Sequence, residues 1–354
     1  SGTTHSRCAG GGGDPGGAGQ VNGGTASGDK EPGAVDWLSP QVWRRDSDVP
    51  CVSLGPPGAF DDAHIFAPCV AFEDGLFRMW YCGSRGTVEG RVFRMGFATS
   101  FDGVNFTKHP ASPVLSFGDT RSILTPTLLR HPGGSLCRED GCLRMWFSST
   151  DFPAGDGVHT LHETTGVDGL TWSPPSRPLL HNLYAPTIIK QDSVYRMWYT
   201  DVVADPWCFR YAESGDGTRW DVVPQPVMVL DQPWEHGRLF YPTVLVADGL
   251  HLMWYGSYSH RKGEETRTAL GFAVSKDGIT WEKSPSNPVF GPDPAHAWES
   301  NFTTSQSVLW LPDRSLRIWY ASRPKPPFTH KYFAIGTARC IPGTAGRMRR
   351  PEAG

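Results

Sequence analysis

The chain has 354 residues, of which 41 are Gly and 31 are Pro, and it carries a formal net charge of −3. That much Gly and Pro excludes long helices, since each such residue ends or weakens one. The small negative charge gives no electrostatic case for nucleic acid as a partner. With 18 Phe, 10 Tyr and 14 Trp the chain is too aromatic to be disordered throughout. No apolar run approaches the roughly 18 residues that a membrane-spanning helix needs.

Residues 1–35 are Gly-rich, with 12 of the 41 glycines, and read as a flexible leader. Residues 341–354 read as a loose tail. Between them, five near copies of one apolar segment recur, built on Met79-Trp80-Tyr81, Met145-Trp146-Phe147, Met197-Trp198-Tyr199, Met253-Trp254-Tyr255 and Ile318-Trp319-Tyr320. The tryptophans lie 52 to 66 residues apart. Before each stands an x-Pro-x-apolar segment (Ala67-Pro68, Thr125-Pro126, Ala185-Pro186, Tyr241-Pro242), with Ser305-Gln306 replacing it in the fifth unit. After four of them comes Asp-Gly-x-x-aromatic, starting at Asp102, Asp168, Asp216 and Asp277, where Gly supplies the positive φ of a turn. Each unit therefore predicts four short antiparallel strands, and radial repetition of such sheets makes a β-propeller.

The fifth unit has a third strand near 332–336 but no Asp-Gly and no outer strand. The missing strand is predicted at the opposite end of the sequence, in Trp43-Arg44 and Cys51-Val52. The expectation is all-β: a single five-bladed propeller over residues 36–340, its last blade closed by residues 36–54. Eight cysteines form no CxxC pair, so no zinc ribbon is expected. Cys137 and Cys142 flank a hairpin turn and are placed to form a disulfide. Two Asn-Phe-Thr sequons, at Asn105 and Asn301, leave the compartment open and lean it slightly toward a secretory or lumenal one.

In a propeller, the loop leading into each first strand and the loop between the second and third strands open on one face around a funnel. The lead-in loops carry an acid in register: Asp61, Asp119 and Glu235 seven residues before the Pro, and Glu299 six before Ser305. Such recurrence fits paired carboxylates that cleave a glycosidic bond, and equally fits a residue that caps loop backbone. Residues that depart from the repeat are Asp62 and His64, Arg121, His236 and Arg238. The second set of loops adds Arg85, Asp151, Asp201, Asp205, His260, Arg261 and Arg323, so the funnel is expected to hold a polar ligand. No P-loop, Rossmann fingerprint, HExxH or GxSxG occurs, so no cofactor or metal is expected.

With its x-Pro-x-Val, Met-Trp-Tyr and Ser275-Lys276-Asp277-Gly278-Ile279-Thr280-Trp281 motifs, the chain resembles the five-bladed propeller superfamily of glycoside hydrolases. These are the arabinanase/xylosidase, invertase/levansucrase and mannoside phosphorylase families. The resemblance covers about residues 36–340 and implies a carbohydrate partner. It also implies an Asp just before the first-strand Pro in blades one and two, and a Glu two before it in blade three. Here those positions hold Ala67, Thr125 and Tyr184. Either catalysis is re-sited, with Asp62 as base or nucleophile, Glu235 as acid and Asp119 tuning it, or the propeller only binds glycans. In both cases Asp61, His64, Arg121, Tyr184, Asp201, His236, Arg238, Glu299 and Asn301 are the candidate substrate contacts.

Overall fold

The computed structural model describes residues 34–87, 90–155, 157–261, 266–324 and 334–343. Most of the expected leader, the start of the fifth unit's third strand and the tail beyond 343 lie outside them.

Two short strands come first, β1 (Trp43–Arg45) and β2 (Val52–Ser53). Blade one is β3 (His64–Glu73), β4 (Leu76–Ser84), β5 (Arg94–Ser100) and β6 (Thr107–Lys108). Blade two is β7 (Arg121–Leu128), β8 (Leu143–Asp151), β9 (Thr160–Gly166) and β10 (Leu180–His181). Blade three is β11 (Leu183–Gln191), β12 (Val194–Asp201), β13 (Cys208–Ser214) and β14 (Asp221–Val222). Blade four is β15 (His236–Ala247), β16 (Leu250–His260), β17 (Arg267–Ser275) and β18 (Glu282–Lys283). Blade five is β19 (Phe302–Trp310), β20 (Leu316–Arg323) and β21 (Ala334–Cys340), with β1 on its outer edge and β2 also paired to β21. The N-terminal strand therefore closes the last blade, antiparallel to β21 with Trp43 opposite Cys340. The outer strand of blade two, β10, begins in Pro178-Leu179-Leu180, whereas in blades one, three and four the matching Pro-x-x segments make isolated bridges, such as Met95 with Leu115, and the outer strands β6, β14 and β18 lie earlier.

The repeat residues explain why the blades stack in a ring. Each second-strand tryptophan is fully buried, and four of the five donate the indole N–H to the turn of the following blade. Trp80 donates to Gly169 O (2.8 Å), Trp146 to Gly217 O (2.9 Å) and Trp198 to Gly278 O (2.7 Å). Trp319 of blade five reaches Gly103 O of blade one at 2.9 Å, which closes the circle. Blade five has no Asp-Gly turn, and Trp254 instead meets Gln41 Oε1 from the N-terminal segment at 3.1 Å. Gly takes φ of +72° to +79° at these four turns, and the preceding Asp accepts two backbone N–H groups, as Asp102 does from Val104 and Asn105. Those bonds hold the Asp102, Asp168, Asp216 and Asp277 carboxyls below their ordinary range. They are turn formers.

All five inner strands share a second signature. Ala67, Thr125, Ala185, Tyr241 and Ser305 take positive φ between 46° and 55°, and the pairing register slips at each. A non-Gly residue there costs roughly 1–3 kcal/mol and persists only where surrounding structure enforces it. Here the enforcement is inter-blade: Ala67 N donates to Ser305 Oγ (3.1 Å), Val70 N to Ser307 Oγ (3.1 Å) and Ile188 N to Thr127 Oγ1 (3.3 Å). Arg130 adds bonds to Ser307 Oγ and Val70 O, tying blade two to blades five and one. The kinks divide the central channel. Below them lies a cavity of about 310 Å³ lined by the x-Pro-x segments, and above them the funnel.

Among the described residues no helix is long and apolar enough to cross a membrane.

Candidate functional site

Three of the four recurring acids are taken up by the scaffold. Asp61 (2% exposed) accepts from Tyr81 Oη at 2.9 Å and Lys108 Nζ at 2.6 Å. Glu235 accepts from Tyr255 Oη (2.7 Å), Lys283 Nζ (2.8 Å) and the amides of Asp231 and Gln232. Glu299 accepts from Tyr320 Oη (2.7 Å) and Arg45 Nε (2.8 Å), and pairs with His296 Nδ1 at 2.7 Å. The pattern is the same in blades one, four and five: a lead-in acid, the Tyr of the second strand, and a cation from the outer strand. Burial first, then the adjacent carboxylate, pushes each of these tyrosines far above its ordinary value, so each stays protonated and donates.

Room for the tyrosines comes from glycine in the third strand. A Cβ on Gly96, Gly271 or Gly336 would lie 2.4–2.8 Å from atoms of Tyr81, Tyr255 or Tyr320. An aromatic just before each acid covers the ring from the lead-in side: Phe60 on Tyr81, Trp234 on Tyr255 and Trp298 on Tyr320. Blade two breaks the set, with Phe147 in place of Tyr and His162 stacked on it in place of Gly. Asp119 accordingly has no such partner and is exposed on a turn.

The other candidates spread out as well. Asp62 accepts from the backbone N–H of Gly58 (2.7 Å) and of Gly86 (3.1 Å), joining two loops. His64 is buried against Phe93. Arg121 donates to Thr160 Oγ1 at 3.0 Å and lies over Phe117. Asp201 pairs with Arg210 at 2.6 Å and accepts two backbone amides. Burial alone would raise its carboxyl, and these bonds more than offset that, leaving it below its ordinary value. His236 is exposed. Asn301 is 2% exposed and donates to Thr266 O, which leaves no room for a glycan on that sequon. Cys137 and Cys142 are free thiols; the hairpin between them is closed by paired backbone bonds of Glu139 and Cys142.

The funnel itself is a cavity of about 170 Å³. Phe66, Leu124, Tyr184, Phe240 and Thr304, each one residue before a kink, reach it from the five inner strands. Around them stand Phe93, Phe152, Trp207, Tyr241, Tyr258 and Phe302, with Arg91, His159, Arg238 and Thr268. Tyr184 and Tyr241 share a hydroxyl–hydroxyl bond of 2.7 Å. Arg238 lies 4.2 Å over Trp207 and Arg91 lies 3.9 Å over Phe152. Among the described residues lining the funnel there is no Asp or Glu, and Asp62, Asp119 and Glu235 line neither cavity. Of the residues picked from the sequence, Tyr184 and Arg238 are in the lining. Phe66 and Phe240 share the register of Tyr184, two residues before the Pro, and could have been found from it; the other rings fall at no repeated register.

Several solved structures superpose on this arrangement. A glycoside hydrolase matches with a TM-score of 0.65 at 18% identity, over 85% of this chain and 94% of its own. A structure from the GH130 family of mannoside phosphorylases, concerning hydrolases of β-1,2 mannosidic linkages in Candida mannan, gives a TM-score of 0.64 at 14% identity, over 87% and 96%. An N-acetylgalactosamine deacetylase from F. plautii, in complex with blood group B trisaccharide, gives a TM-score of 0.63 at 15% identity, over 85% and 94%. The fold is that of the five-bladed glycoside-hydrolase propellers. The chain is also 24% identical, over 64% of its length and 77% of theirs, to two uncharacterized proteins of Mycobacterium tuberculosis, from strains CDC 1551 / Oshkosh and H37Rv. No protein-family model matches the sequence.

Proposed function

We propose that this glycoside-hydrolase-like propeller is a carbohydrate-binding protein that seats one terminal sugar residue in the aromatic funnel. One observation carries the reading. All five inner strands deliver their residue at the funnel floor, and none of the five is an acid, whereas glycosidic cleavage by the common route needs two carboxyl groups facing one bond. The positions where the resemblance implies carboxylates hold Ala67, a buried Thr125 and Tyr184. In their place the funnel offers aromatic faces for the apolar face of a sugar, and Tyr, Thr and His groups for its hydroxyls. The cavity is below the roughly 300–1,000 Å³ of sites that enclose larger ligands, which fits a single ring better than an oligosaccharide.

The test pairs glycan-array binding with a reducing-end release assay on the same glycans. Binding without release, weakened about ten-fold or more in Trp207→Ala and Tyr184→Ala, supports the reading. Release that disappears in Asp62→Asn while the thermal melt is unchanged would restore the catalytic assignment and overturn it.

A further inference from the structure

We infer that the funnel selects an acidic sugar, one whose terminal residue carries a carboxylate or sulfate; this rests on the carbohydrate reading above. Two guanidinium groups line the cavity, and each is laid flat on an aromatic ring that also lines it: Arg238 on Trp207 and Arg91 on Phe152. Two more stacks stand on lining rings, with Arg323 3.4 Å over Phe302 and Arg261 5.5 Å over Tyr258. Of these four, Arg238 and Arg91 line the cavity itself. A guanidinium stacked by its face, as Arg238 is on Trp207, can turn its N–H edge to a planar oxyanion, the geometry that binds a carboxylate or sulfate with two parallel hydrogen bonds.

The charge balance points the same way. Arg238 has no ion-pair partner among the described residues, and the described lining contributes no carboxylate. A neutral sugar pushed into this funnel would strip water from Arg238 and return no counter-charge, which is costly beside so many apolar rings. An anionic sugar supplies that charge. A further polar group awaits it: Thr304 is 1% exposed, lines the cavity, and its Oγ1 has no hydrogen-bond partner. This differs from the outer brackets, where every buried cation already faces an acid.

The experiment is an array of matched glycans differing only in charge, such as oligogalacturonates beside their methyl esters and sulfated beside unsulfated galactans. Hits are followed by titration calorimetry on the intact chain. The expected result is binding of the acidic member of a pair roughly ten-fold or more tighter than its neutral partner. That preference should weaken with added salt and largely vanish in Arg238→Gln, a variant whose melt checks that the fold is intact. The carboxylate and sulfate arms show which oxyanion is preferred. Equal binding of neutral and acidic partners overturns the charge selection and leaves the carbohydrate reading standing. No binding to any glycan overturns the carbohydrate reading, and the selection falls with it.

Discussion

Replacing Glu235 by Gln separates a bracket from a catalyst. The Glu235 carboxylate has a side-chain exposure of 0%, and its partner Lys283 has 7%. The substitution preserves shape but removes the charge that Lys283 Nζ meets at 2.8 Å, leaving a cation enclosed beside Tyr255. Breaking one side of a buried ion pair costs roughly 3–5 kcal/mol where the remaining charge is left uncompensated. Lys283 Nζ also meets Asp231 Oδ1, which keeps the loss at the lower end, about 3 kcal/mol. A propeller of about 300 residues unfolds with an entropy of about 0.6 kcal/mol/K, so that loss corresponds to about 5 °C in Tm. Differential scanning calorimetry of Glu235→Gln, Lys283→Met and the double variant reads it directly. The double variant should recover most of the loss, since it removes both charges together. If Glu235→Gln melts within about 1 °C of the parent protein while glycan release disappears, the bracket argument is refuted and Glu235 is a working acid.

Two further outcomes follow from the same geometry. His296 contacts Glu299 (2.7 Å) and Asp48 (3.2 Å), lies near Asp293, and shares Glu299 with Arg45, so it pins the N-terminal segment to blade five. The Glu299 bond, chiefly, raises its pKa. A raised value gives stability that is full below the ordinary value near 6.5 and is lost as pH rises through the raised one. Amide exchange in β1 and β2 should therefore quicken with pH in excess of its intrinsic dependence, and His296→Gln should remove the excess. Gln306→Pro makes blade five match the other four, yet is expected to destabilise. The Gln306 amide donates to Tyr241 O (2.7 Å) and Trp254 O (2.9 Å), and orphaning two buried carbonyls costs on the order of 2–3 kcal/mol, read as a Tm drop of about 3–5 °C; an unchanged melt would show those bonds to be dispensable.

The blade count was legible in the sequence because its causes are local and repeated: a tryptophan that must reach the next blade's turn, and an Asp-Gly that must present a carbonyl there. The N-terminal closure was legible as an absence, since blade five has no Asp-Gly of its own. The recurring acids were visible as a register, but their role depends on groups far along the chain. Asp61 and Glu235 each sit 20 residues before their Tyr, and Glu299 sits 21 before Tyr320. An acid at that spacing, where the strand reads Trp-Tyr and the next strand supplies Gly, is the signal that marks the bracket. Phe147 in blade two is the matching signal that Asp119 has none. The funnel lining had no comparable marker. Only Phe66, Tyr184 and Phe240 share a spacing, two residues before the inner-strand Pro; the other rings share none, and only the folded ring brings Arg238 over Trp207 or Arg91 over Phe152.

The pairing of Trp43 with Cys340, continued by the bond from Asp36 N to Gly343 O at 3.0 Å, brings residues 36 and 343 side by side. The ring therefore has a seam, and nothing in its packing fixes where that seam must fall. Joining 343 to 36 through a short linker and opening a connection between two other blades would give a permuted chain with every blade intact. Pulling on these two neighbouring points separates β1 from β21 one hydrogen bond at a time, like a zip, instead of shearing the whole ladder at once.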